Sequence, residues 1–160
     1  MTILLRGAVT VLGVFLMFTV LHGLAVPLLV LVNVFTIAVI LFGVIEGEIP
    51  GAVFGMVCGL IVDSFSLGVF GLAGVANTVT GYLAGAISRK IDVVRPARLC
   101  LFVGLMAALD LGLWAVLSTI FFSEGFPWAG GWLLAQPFVS ALFGMAAFLV
   151  YRRVKARHDR

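Results

Sequence analysis

Charge is what this chain has least of. Only 11% of its 160 residues are Asp, Glu, Lys or Arg, against roughly 25% in an ordinary soluble domain. Hydrophobic residues make up 63%, and the mean hydropathy is +1.27. A chain with so little polar surface has no means of covering itself in water, so lipid is its expected solvent. Cysteine is also scarce. Cys58 and Cys100 stand far apart in apolar segments, which argues against a disulfide framework or thiolate metal site; both read as small packing residues.

Catalytic signatures are missing as well. There is no G-x-S-x-G, no H-E-x-x-H and no Walker lysine loop. The only histidines, His22 and His158, fall at opposite faces of the predicted topology. An intramembrane protease would need a second core carboxylate or a Ser–His pair, and neither is apparent. The expected class is therefore not an enzyme, with no catalytic residue, cofactor or metal. Nucleic-acid binding is not expected either. The basic residues form short clusters at Arg6, Arg89 to Arg98 and Arg152 to Arg160, each flanking an apolar run, which is a topology pattern rather than a phosphate-binding stripe.

What the chain does have is long apolar runs. Six can be delimited, at about 5–21, 26–45, 50–65, 69–88, 99–122 and 132–151. At about 20 residues per crossing they need roughly 120 residues, which leaves no room for a soluble catalytic domain. Backbone polar groups in hydrocarbon must be satisfied internally, so the runs should be helices. The predicted fold is a single all-α domain, an integral membrane bundle of about six transmembrane helices. The N-terminal run lacks a clear cleavage site and reads as an uncleaved first helix. Its boundary with the second run, around His22 to Pro27, is the least marked. With both termini in the cytoplasm, all ten Lys and Arg residues fall on one side, including the short basic tail at 152–160. Glu46 and Glu48 then occupy an inner loop without basic company. Phe121, Phe122, Phe126, Trp128 and Trp132 cluster at the outer interface and Tyr151 at the inner one. Pro137, a few residues into the last run, predicts a kink.

The middle of the chain is richest in pattern. Gly51, Gly55, Gly59 and Asp63 recur every fourth residue in the third run, and Gly74, Thr78, Gly81 and Gly85 follow a similar spacing in the fourth. Small residues at this spacing let helix backbones approach closely in a membrane. The stripes either pack the third helix on the fourth or dock a partner's transmembrane helix. Asp63 either caps the turn that follows it, where Gly68 and Gly71 permit tight reversal, or binds something. Asp110 falls near the centre of the fifth run, where a carboxylate is costly unless paired or hydrated. It is either functional or a hydrogen-bonded glue between helices, with Asn77, Thr78 or Thr80 as partners. Asn33, Asn77 and Gln136 read as interhelical hydrogen-bond donors.

The ordered set Gly51, Gly55, Gly59, Leu60 and Asp63, then Leu67, Gly68, Gly71 and Leu72, then Gly81, Tyr82, Leu83, Gly85 and Arg89 resembles the bacterial rod shape-determining protein MreD family. About 40 residues carry the likeness. The resemblance implies a non-catalytic membrane subunit of the cell-elongation complex, acting in cell shape and lateral peptidoglycan synthesis. Implied partners are an MreC-like single-span protein, with MreB, RodA and a penicillin-binding transpeptidase beyond it. Many members carry a polar or charged residue early in the second helix, where this chain offers only Asn33. The loop bearing Arg89, Lys90, Arg95 and Arg98 is a candidate contact for cytoplasmic partners or anionic lipid. The competing expectation is a substrate-binding membrane subunit of a vitamin-like importer, which would need a polar outward pocket; Asp63, Ser64, Ser66 and Glu124 are the residues available for one.

Overall fold

The computed structural model describes residues 2–24, 33–65, 70–91, 93, 95–121 and 135–158. Among them all regular structure is helical, in six helices: α1 Thr2–Leu24, α2 Val34–Glu46, α3 Glu48–Phe65, α4 Leu72–Ser88, α5 Pro96–Phe121 and α6 Gln136–His158.

Side-chain pairings give the directions. Arg6 meets Glu46 and Phe18 meets Phe35, so α1 and α2 run antiparallel. Phe42 stacks on Phe54 across the α2–α3 turn, with ring centroids 4.3 Å apart. Gly51 lies against Gly81 while Gly59 lies against Ala73, which reverses α4 relative to α3. Thr80 to Asp110 joins α4 to α5, and Gly104 faces Ala141 where α5 meets α6. Consecutive helices thus alternate up and down. Arg6, Glu46, Glu48, Arg89, Arg98 and Arg152 consequently gather at one end.

The shortest helix is the most enclosed. Eight residues of α2 are buried, from Val34 to Gly43. One face packs Phe35, Val39 and Phe42 with Phe54 and Cys58 of α3. The other packs Ile40 with Ala84, Phe102, Val103 and Phe148. Asn33 caps α2 by accepting the Thr36 N–H at 3.2 Å, so its side chain serves the helix start rather than a neighbouring helix. At the other end a single residue separates α2 from α3. Gly47, at φ 105°, takes a left-handed conformation that side-chain-bearing residues rarely adopt.

Several boundaries differ from the sequence reading. The described part of the second run is a helix that begins at Val34 after Asn33, and the predicted start near 26 falls among residues 25–32, outside the described residues. Its 13 residues rise about 20 Å, short of a hydrocarbon core of about 30 Å. Pro96 opens α5, where its missing N–H costs nothing. Pro137 is the second residue of α6, a first-turn position at which its ring is tolerated, and residues 132–134, where the run was expected to begin, lie outside the described residues. The helix also runs on through Arg152 to His158, so most of the predicted tail is helical. Phe122, Phe126, Trp128, Trp132, Glu124 and residues 66–69 lie outside the described residues.

Two helices, Glu48–Phe65 and the Ala97–Phe121 stretch of α5, are long and apolar enough to cross a membrane. Large apolar side chains also face outward, among them Leu5, Val9 and Leu12 on α1, and Leu101, Leu105, Val116 and Ile120 on α5.

Candidate functional site: a glycine-packed hairpin and a buried carboxyl

The hairpin α3–α4 is built on backbone contact. A β-carbon on Gly55 would collide with the Asn77 carbonyl, one on Gly59 with the Ala73 carbonyl, and one on Gly51 would lie 2.5 Å from the Gly81 oxygen. Gly81 and Gly85 meet the backbone of Gly51 and of Gly47–Glu48 in return. Each obstacle is main chain, so no rotamer change relieves it. Gly74 is looser, its nearest neighbour being the flexible end of Leu60 at 3.3 Å. Thr78 is half-buried and donates its hydroxyl to the Gly74 carbonyl at 2.6 Å. The stripes are occupied within the chain, so the five tightly packed glycines present no surface to a partner helix.

Asp63 closes the same hairpin. α4 starts at Gly71, which has φ 104° and no side chain with which to cap the helix. The Asp63 carboxyl, at the end of α3, does so instead. Oδ2 accepts the N–H groups of Gly71 and Gly74 at 3.0 Å each, and Oδ1 accepts that of Ala73 at 3.1 Å. Three of the orphan donors at the helix start are thereby satisfied, by a negative group at the positive end of the helix dipole. Only 6% of Asp63 is exposed. Both oxygens are occupied by backbone, so Asp63 has a structural task.

The second polar centre joins three helices. Asp110 of α5 accepts the Thr36 hydroxyl of α2 on Oδ2 at 2.8 Å and the Thr80 hydroxyl of α4 on Oδ1 at 3.1 Å. Asn77 of α4 reaches Thr36 Oγ1 at 3.3 Å. A hydroxyl has one proton, and that of Thr36 goes to the shorter contact with Asp110. The Asn77 Oδ1 is a second, longer acceptor for the same hydroxyl, so Thr36 bridges Asn77 and Asp110. All four residues are buried, so each missing bond would leave a desolvated polar group. Asn77 also connects this centre to the glycine contact, since its carbonyl is the one that Gly55 abuts.

Chemically, the Asp110 centre is an acceptor held by donors. Its partners among the described residues are two hydroxyls and, through one of them, an amide. Among the described residues no three His, Cys, Asp or Glu groups converge as a metal site would require. Sequence reasoning selected Asp110, Asn77 and Thr80 and missed Thr36. That threonine lies in an apolar run with no local pattern to mark it. Gln136 and Ser140, one turn apart on α6, hold buried oxygens without a hydrogen-bond partner among the described residues.

The basic end corrects one expectation. Glu46 and Glu48 do have basic company: Arg6 pairs with Glu46 at 3.1 Å, and Arg89 approaches Glu48 at 3.9 Å. Lys90, Arg95 and Arg98 are exposed nearby along the chain. The chain matches no protein-family model, no curated protein and no solved structure.

Proposed function

We propose that the chain is a multi-pass protein of the bacterial cytoplasmic membrane, with its basic end inside, and that it serves as a non-catalytic docking subunit of the cell-elongation complex, as MreD-like proteins do. The observation that carries the reading is the hairpin itself. Among the residues bearing the family resemblance, Gly51, Gly55, Gly59, Asp63, Gly71, Gly81 and Gly85 make α3 and α4 one closely packed unit, so much of the likeness rests on residues with a shared physical job. The outward apolar side chains and the gathering of basic residues at one end support the membrane part.

A bundle of this kind acts through its lipid-facing sides and its loops. With the glycine stripes engaged internally, an MreC-like single-span partner would dock on an outward face. The row Leu101, Leu105, Val116 and Ile120 of α5 rises about 28 Å (19 residues at about 1.5 Å each), close to the ~30 Å thickness of a bilayer core. MreB, RodA and the transpeptidase would be reached through that partner or through the basic loop at Arg89, Lys90, Arg95 and Arg98.

The test is depletion in a rod-shaped host combined with co-purification from its membranes. Rounded cells and recovery of a single-span partner, weakened by Leu105→Trp, are expected. Unchanged rods, or tight binding of a vitamin-like molecule by the purified chain, would overturn the reading in favour of an importer subunit.

A further inference from the structure

We draw no further inference here: the strongest candidate, the apolar groove of about 800 Å³ between α1 and α3 lined by Gly7, Ala8, Val53 and Val57, runs the length of α3 from Ile49 to Phe65, and nothing in the structure shows what covers it.

Discussion

The hydroxyl of Thr36 and the carboxyl of Asp110 lie 2.8 Å apart although 74 positions separate them. This contact ties the enclosed helix α2 to α5, and Thr80 brings in α4 from the other carboxyl oxygen. Three helices thus share one buried acceptor, and none of their hydroxyls can turn to bulk water if it is removed.

Asp110→Ala should therefore destabilise more than its lost volume suggests, by about 2–4 kcal/mol, because two buried donors lose their acceptor. Asp110→Asn keeps one acceptor oxygen and should cost about half as much. Thr36→Val should cost about 1 kcal/mol alone and add little on top of Asp110→Ala. Unfolding in detergent reads all three. Strict additivity of the Thr36 and Asp110 effects would deny the coupling.

The glycines make opposite predictions by position. Gly55→Ala forces a methyl onto the Asn77 carbonyl, so the helices must separate, at a cost of about 1–3 kcal/mol. It should also loosen the Thr36 contact, because the same residue serves both. Gly13, on α1, has nothing within 4 Å of where a β-carbon would stand. Gly13→Ala should be neutral or stabilise by about 0.5–1 kcal/mol through helix propensity. Equal losses at the two sites would contradict the α3–α4 packing.

Asp63 should behave as a cap and not as a ligand. Asp63→Ala leaves three N–H groups at the start of α4 without their acceptor and should cost about 2 kcal/mol. Asp63→Asn retains one acceptor oxygen and should fall between that variant and wild type. Hydrogen exchange at Ala73 and Gly74 is the direct measurement, with faster exchange in Asp63→Ala confined at first to the N-terminal turn of α4.

Topology can be tested without purification. In the proposed orientation a periplasm-active reporter fused after Arg160 stays silent, and a cytoplasm-active one is bright. Because α1 and α6 carry their basic residues at the same end of the bundle, a fusion at the N-terminus should report the same compartment. Opposite signals at the two termini would exclude an even number of crossings.

The local features were legible and the distant ones were not. Gly51, Gly55, Gly59 and Asp63 sit in one helix at a regular spacing, so the sequence marked a surface for close helix packing and a candidate cap. Asp110 stood out because a carboxyl in an apolar run is costly wherever it goes. Thr36 gave no such signal, since a threonine in a helix can return its hydroxyl to its own backbone, as Thr10 does to Arg6 and Thr78 to Gly74.

Composition and periodicity by themselves determined that this chain would be helical, nearly uncharged and basic at one end, because those properties follow from hydropathy and the order of residues along the chain. Only the tertiary structure decided which faces are taken and which are left. Two stripes of glycine were equally suited to a neighbour within the chain or outside it, and backbone contact between α3 and α4 consumed them. The gap between α1 and α3 left no mark in the sequence, since a residue lining an apolar groove and one packed in an apolar core have the same chemistry.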